Sequence, residues 1–349
     1  MSEQKKKIGF ACAYTPLPLI HAAGFEPYRI LPVGDAPDQA GSYLHDNLCP
    51  HIKRILDRAL AGELPALEGV VLVASCDAMR RLADAWRVAR PDDRLALIDL
   101  PVGRNTGWQG YFEGELERLL GLLREWSGRE IAGRDIVDST HLYNQLAERL
   151  EQLRTRLTIS TAGPAILQRE YVRTVTSPLE ESLAGVDALL KKHHDAAPEQ
   201  GVPVYLFGNL LPEPEAMELF ASSGCRVVFD DLCTGSRQLT ALEVDNPDLA
   251  LNQLAGALLN RPVCARTFFA DQPGTLAREV LANVKQHGAR GVIAHVMKFC
   301  DPYLARLPAV REELRDAGIP FLVLEGDCTT HALGQHRTRI EAFAEMLGG

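Results

Sequence analysis

The cysteines are the residues of this 349-residue chain with the most distinctive chemistry. Cys12, Cys76 and Cys300 each stand at the end of an apolar run that predicts a β-strand. Three more lie in predicted loops beside proline or a Thr-Gly step: Cys49, Cys233 and Cys264. Soft thiolates gathered without histidines at matching spacing favour an iron–sulfur cluster over a hard metal ion.

The spacing of the cysteines and the positions of the other two restrict the possible kinds of metal or redox site. No Cys-x-x-Cys pair occurs, so the zinc-ribbon and thioredoxin motifs are absent. A single cysteine is most often a small buried hydrophobe, and we assign Cys225, in the run into a predicted strand, to the core. The sequence leaves the role of Cys328 open.

A β-α-β unit positions Cys300. Residues 291–297 form a β-branched apolar run that predicts a buried strand, and Cys300 follows where a parallel sheet exposes its carboxyl edge. Helical spacing over residues 304–317 and a strand at 319–324 complete the unit. A last helix over residues 338–347 is predicted to point its amino end toward the same edge.

The same unit occurs earlier in the chain. Residues 69–77 match residues 291–301, which makes Cys76 the equivalent of Cys300. Upstream, residues 18–30 resemble residues 215–228 as a helix, a glycine stop and a strand, and this places Cys49 and Cys233 in equivalent loops. Two copies of such a unit predict two similar domains facing each other across a cleft.

We therefore predict an α/β protein with two similar Rossmann- or flavodoxin-like parallel-sheet domains and a helical insert, with the cluster in the interdomain cleft. The predicted boundaries are an N-terminal α/β domain over residues 1–127, a helical linker or insert over 128–198, and a C-terminal α/β domain over 199–349. Strand signals are few in the middle segment, where long amphipathic helices are predicted.

The charge pattern restricts the partners. A net charge of −9 without a clustered Lys/Arg stripe argues against nucleic acid or an anionic membrane as the main partner. No stretch approaches the roughly 18 apolar residues of a membrane span. We expect a soluble cytoplasmic protein, in which disulfides have no evident role.

Several polar residues allow two interpretations. Gln335, Arg337 and Arg339 lie at a predicted helix amino end facing the cleft, where they would bind an anion or the cluster sulfides, or else form a salt-bridged surface. Asp77 and Asp301 each follow a cysteine and are expected to cap the next helix.

One histidine also lies within a predicted strand. His295 belongs to the apolar run over residues 291–297. We expect a hydrogen-bonded core histidine there rather than a metal ligand.

Seven motifs carry a resemblance that spans nearly the whole chain: residues 12–16, 21–27, 47–50, 75–81, 230–237, 298–302 and 334–343. Together they resemble the 2-hydroxyacyl-CoA dehydratase and benzoyl-CoA reductase subunit family. The resemblance implies two α/β domains and a [4Fe-4S] cubane on Cys49, Cys76 and Cys300. It also implies electrons from a separate ATP-hydrolysing activator, itself an iron–sulfur protein.

The other candidate ligands make the chain similar to the double-cubane cluster proteins of that family. There, two cubanes share a bridging sulfide as an [8Fe-9S] cluster with three cysteines on each, and the protein is a homodimer. By this resemblance Cys12, Cys233 and Cys264 complete the six, and Cys328 ranks below them. How the six divide between the cubanes stays open.

These features are compatible with three functions. The first is a reductase that accumulates low-potential electrons from the activator and passes them to a small substrate. The second is a single-[4Fe-4S] subunit of a dehydratase or reductase whose open iron polarises an acyl-CoA thioester. The third is a non-catalytic electron carrier. Because the sequence has no Gly-x-x-x-x-Gly-Lys-Ser/Thr loop, we expect the ATPase to be the partner, and no catalytic residue is identified.

Overall fold

The computed structural model describes residues 5–34, 36–103, 106–193, 201–269, 271–328 and 335–348. The described strands form two four-stranded parallel sheets. The first has the order β2-β1-β3-β4, from strands β1 (Lys7–Phe10), β2 (Glu26–Arg29), β3 (Leu67–Ala74) and β4 (Leu95–Asp99).

The second sheet repeats this arrangement. Its order is β6-β5-β7-β8, from strands β5 (Val202–Gly208), β6 (Cys225–Asp231), β7 (Gly291–Met297) and β8 (Phe321–Gly326). Every residue of β7 is buried, because helices cover both faces of the sheet. The prediction of two similar parallel-sheet domains is confirmed.

Twelve helices surround the sheets in the described residues. They are α1 (Leu17–Ala22), α2 (Pro50–Leu60), α3 (Asp77–Ala89), α4 (Thr106–Ser127), α5 (Gly133–Leu157), α6 (Gly163–Thr174), α7 (Leu179–Lys192), α8 (Pro214–Ser222), α9 (Ala250–Leu259), α10 (Thr275–Gln286), α11 (Asp301–Asp316) and α12 (Arg337–Gly348). Among these described helices, none combines the length and the apolar character that a bilayer crossing requires.

The first sheet is covered on both faces. Helices α2 and α3 pack on one face, where Ile55 and Trp86 are fully buried. Helices α1, α4 and α9 pack on the other, together with the start of α5. Helix α9 comes from the C-terminal half of the chain, yet Leu254 and Leu258 join the core of the first sheet. The N-terminal core therefore includes residues beyond the segment 1–127.

Helices α5, α6 and α7 form a separate helical core, which Phe10 and Leu17 of the first domain join. The break predicted at Gly163 and Pro164 separates α5 from α6, with the proline in the first turn of α6. In the second domain, α8 and α12 cover one face of the sheet, and α10 and α11 cover the other.

Candidate metal centre

One cavity brings the predicted ligands together. It lies between the carboxyl edges of the two sheets and is lined by all six predicted cysteines: Cys12, Cys49, Cys76, Cys233, Cys264 and Cys300. Its volume of about 100 Å³ is several times the roughly 10–15 Å³ that one water molecule requires. The cavity therefore has room for a group of several atoms.

Three of these cysteines occupy helix N-cap positions. Cys49 precedes α2, Cys76 precedes α3 and Cys300 precedes α11. The partial positive charge at a helix amino terminus stabilises a thiolate. Asp77 and Asp301 are not the caps that we predicted: they are the first helical residues, because the chain turns into the helix at the cysteine itself.

The other three cysteines lie in loops. Cys12 follows β1, and Cys233 follows β6. Cys264 lies after α9, in a turn closed by a 2.8 Å hydrogen bond from the Thr267 amide to its carbonyl. Because α9 packs on the first sheet, it carries Cys264 to the cavity. The loop equivalence that we predicted for Cys49 and Cys233 is only approximate, since Cys233 directly follows its strand and Cys49 directly precedes a helix.

Neighbouring thiols shift each other's pKa. A hydrogen bond with Cys233 lowers the pKa of Cys264 to about 6; burial opposes this shift, and the nearby Arg237 and Arg266 support it. A hydrogen bond with Cys49, followed by burial, raises the pKa of Cys300. Burial raises the pKa of Cys76 to about 12. Since thiolates are the metal-binding form, a metal bound here would displace the protons that burial holds on Cys76 and Cys300.

A buried carboxylate shapes the loop of Cys233. Oδ1 of Asp230 accepts hydrogen bonds from the backbone nitrogens of Leu232 (3.3 Å) and Ser236 (2.9 Å). A Cβ on Gly235 would lie 1.9 Å from that oxygen, so the turn has no room for a larger residue. This local network fixes the backbone on both sides of the cysteine.

Asn209 joins three strand ends of the second sheet. Its carbonyl accepts a 2.7 Å hydrogen bond from the Cys233 amide, and its Oδ1 accepts one of 3.2 Å from the Met297 amide. A hydrogen bond to its side chain also acts to lower the pKa of Cys300, against the larger effects of Cys49 and burial. Asn209 could not be predicted as a site residue from the sequence, because its amide side chain is not a typical metal ligand.

Arginines line the cavity beside the thiols, and sequence reasoning did not single them out as site residues: Arg29, Arg237 and Arg266. Nη1 of Arg237 lies 3.5 Å from Sγ of Cys233 and 2.6 Å from the Tyr303 hydroxyl. The Asp231 carboxylate pairs with Arg237 at 2.6 Å. The motif Asp230-Asp-Leu-Cys-Thr-Gly-Ser-Arg237 could have indicated Arg237 as a site residue, because the arginine closely follows a cysteine.

Two further titratable groups face the cavity: His51 and Tyr14. Burial, and then the charge of Arg29, lowers the pKa of His51 to about 3. Burial raises the pKa of Tyr14, and the Arg266 guanidinium lies 5.6 Å from its ring centroid. Both side chains are therefore neutral near pH 7, which leaves the arginines as the positive charges at the cavity.

These residues fit an iron–sulfur cluster. Within the described parts of the chain, no three His, Cys, Asp or Glu side chains are spaced to bind a single metal ion. A cluster relaxes this requirement, because each cysteine binds a different iron. Soft sulfur donors, helix amino termini and guanidinium groups together suit an anionic metal–sulfide group.

The last helix does not contribute to this cavity. The lining includes neither Gln335 nor Arg337, which we predicted to face the cleft. Gln335 is exposed, and Arg337 reaches Ser222 at 3.1 Å and Glu341 at 3.8 Å on the outer surface. Arg337 is the first residue of α12 and Gln335 precedes the helix, so both side chains lie at the exposed start of α12, whereas Ile340 is buried in the core of the second domain.

The other predictions for single residues have clear outcomes. Cys225 is 1% exposed in the core of the second domain, as predicted. His295 is a buried core histidine whose Nδ1 lies 3.0 Å from the Leu210 carbonyl oxygen, also as predicted. Sγ of Cys328 lies 3.4 Å from Sδ of Met297, in a small apolar cluster that also includes Cys49 and Cys300.

Comparison with known proteins identifies the family of this chain. Residues 12–347 match the sequence model of the family described as 2-hydroxyglutaryl-CoA dehydratase, D-component. The chain is 26% identical to the beta subunit of (R)-2-hydroxyglutaryl-CoA dehydratase from Acidaminococcus fermentans, over 99% of this chain and 93% of the relative.

Two other relatives cover similar lengths. The (R)-phenyllactyl-CoA dehydratase beta subunit of Clostridium sporogenes is 24% identical, over 98% of this chain and 92% of that protein. A benzoyl-CoA reductase subunit of Thauera aromatica is 24% identical, over 98% of this chain and 91% of that protein. Since the family match extends over nearly the whole length, the chain belongs to the 2-hydroxyglutaryl-CoA dehydratase D-component family.

Proposed function

We propose that this protein is an iron–sulfur reductase with a double-cubane [8Fe-9S] cluster, which receives low-potential electrons from an ATP-hydrolysing activator and reduces a small molecule. The observation that carries the proposal is the convergence of six cysteines from both domains on one cavity. A single cubane on three cysteines would leave the other three thiols of this cavity without a role.

The chain's own residues hold and surround the cluster in this proposal. When bound, the cluster supplies storage for low-potential electrons. The helix amino termini behind Cys49, Cys76 and Cys300 stabilise thiolates, while Arg237 stabilises Cys233 by a charge-assisted contact. Partial burial between the domains limits the access of water to the cysteines, and limited solvent exposure tunes the reduction potential.

The activator is a separate protein in this proposal. The sequence offers no phosphate-binding loop of its own, so ATP hydrolysis belongs to the partner. A homodimer of this chain would present a symmetric docking face to a dimeric activator. We place the reaction in the anaerobic cytoplasm, where thiols stay reduced.

A second candidate is a single-[4Fe-4S] subunit like the dehydratase and reductase subunits named above. The specific observation in its favour is that only Cys49, Cys76 and Cys300, among the six, occupy helix N-caps. That arrangement would suit one cubane, whose open iron would act as a Lewis acid toward a thioester carbonyl.

Anaerobic reduction kinetics test the proposal. We expect dithionite alone to reduce the protein slowly or partially, and activator with Mg-ATP to reduce it rapidly. Omitting ATP, or supplying a non-hydrolysable analogue, is the matched control and should abolish the fast phase. Full ATP-independent turnover with a simple ferredoxin would contradict the mechanism and favour a plain electron carrier.

A further inference from the structure

Arg29 is a buried cation without a carboxylate partner in the described chain. Arg29 is the last residue of β2, is 1% exposed, and lines the cysteine cavity. Its Nη1 donates to the Cys233 carbonyl at 2.5 Å and to Oε1 of Gln238 at 2.7 Å. Its Nε is buried and has no hydrogen-bond partner among the residues that the structure describes. The contacts that the structure gives this guanidinium are therefore to neutral oxygens.

The surroundings of Arg29 are arranged to accept a positive charge. Nε2 of Gln238 donates to the Tyr171 carbonyl at 2.7 Å, which turns Oε1 of the same amide toward Arg29. Burial lowers the pKa of Arg29, and the nearby Cys233 and Cys12 sulfurs are the groups that oppose this effect. A buried guanidinium without a carboxylate partner among the described residues is costly, so an anionic group bound in the cavity would stabilise it.

We propose that Arg29 is the internal counter-ion of the metal–sulfide group, on the side of the cavity formed by Cys12 and Cys233. This inference rests on the proposed function. Arg29 belongs to the first domain and Cys233 to the second, so the same side chain fastens the two domains around the bound group. It is a positioning residue: its positive charge favours the loaded state over the metal-free state and the reduced cluster over the oxidised one.

The test compares Arg29→Gln with a matched buried arginine. Gln keeps an amide donor for the Cys233 carbonyl but removes the charge. The control is Arg154→Gln, because Arg154 is also buried but pairs with Glu151 and lies outside the cavity lining. Arg29→Lys restores the charge without the full set of donors.

Three readouts apply to the wild-type protein and each variant, purified anaerobically with and without iron. In Arg29→Gln we expect a smaller rise in Tm on iron loading, a more negative midpoint potential, and iron release to a chelator about tenfold faster. Arg29→Lys should recover most of the potential. Arg154→Gln should lower Tm equally in both forms and leave the potential unchanged.

The metal-free proteins give an independent check. Removing an uncompensated buried charge should leave metal-free Arg29→Gln melting no lower than metal-free wild type, whereas metal-free Arg154→Gln should melt lower. Arg29→Gln with the loading shift and potential of wild type would overturn this inference alone. A wild-type chain that takes up no iron would overturn the proposed function, and this inference with it.

Discussion

Nη1 of Arg237 lies 3.5 Å from Sγ of Cys233, and the carboxylate of Asp231 holds the same guanidinium. The Tyr303 hydroxyl and the Asp231 carbonyl also contact Arg237, so its position is fixed by several hydrogen bonds. The cysteine therefore faces a cation whose place does not depend on the metal. The ion pair of Arg237 and Asp231 therefore affects both the stability of the second domain and the electrostatic environment of the Cys233 thiol.

Asp231→Asn should destabilise the metal-free protein by about 3 kcal/mol, because it breaks a buried ion pair and leaves Arg237 uncompensated. Denaturant unfolding of metal-free protein measures this. The control is Asp138→Asn, which removes an exposed pair with Arg134 and should cost less than about 1 kcal/mol. Equal losses of unfolding free energy in the two variants would show that the buried ion pair stabilises the protein no more than the exposed one.

Replacing Cys76 or Cys300 with Ala should strip or degrade the cluster, because each removes a thiolate at a helix N-cap that lines the cavity. Iron content after anaerobic purification measures the loss. Cys225→Ala is the control: it should keep full iron and cost only about 1 kcal/mol of packing. The ligand assignment fails if all three variants carry equal iron.

Gly235→Ala should lower both stability and iron content. The added methyl would meet Oδ1 of Asp230 at 1.9 Å, and displacing that carboxylate disturbs the turn of Cys233, at a cost of about 1–3 kcal/mol. Gly121→Ala, in the middle of α4 with open space around it, should instead stabilise the protein by about 0.5–1 kcal/mol. Melting curves and iron analysis of both variants check the pair.

Removing the iron from the wild-type protein should lower its Tm. The cavity gathers thiols and arginines from both domains, and without metal these groups stay buried without their ligand bonds. Differential scanning calorimetry of iron-loaded and metal-free samples gives the difference. Identical melting temperatures would mean that the cluster does not lie between the domains.

Much of the site could be predicted from the sequence because parallel strands place their carboxyl ends at one edge. The apolar run before Cys300 and its repeat before Cys76 therefore indicated both the sheets and the cavity. The position of α9 could not be predicted in this way. Its apolar stripe shows that it is buried, but not that Leu254 packs on the sheet of the other domain.

The position of Arg29 at the cavity could not be predicted from the sequence either. An arginine at the end of a short strand usually reaches solvent, but Arg29 is buried where it contacts residues far along the chain, among them the carbonyl of Cys233, 204 residues later. Conversely, Arg337 lies at a helix start, as expected, but its side chain points away from the cavity. The start of a helix can be predicted from the local sequence, whereas the direction of a side chain at that start depends on tertiary packing.

Iron and acid-labile sulfide per chain, measured on anaerobically purified protein, test the central claim most directly. We predict about eight irons per chain. The triple variant Cys12→Ala, Cys233→Ala, Cys264→Ala should lose at least half of them. About four irons in the wild-type protein, unchanged in the triple variant, would contradict the double-cubane assignment and support the single-cubane alternative.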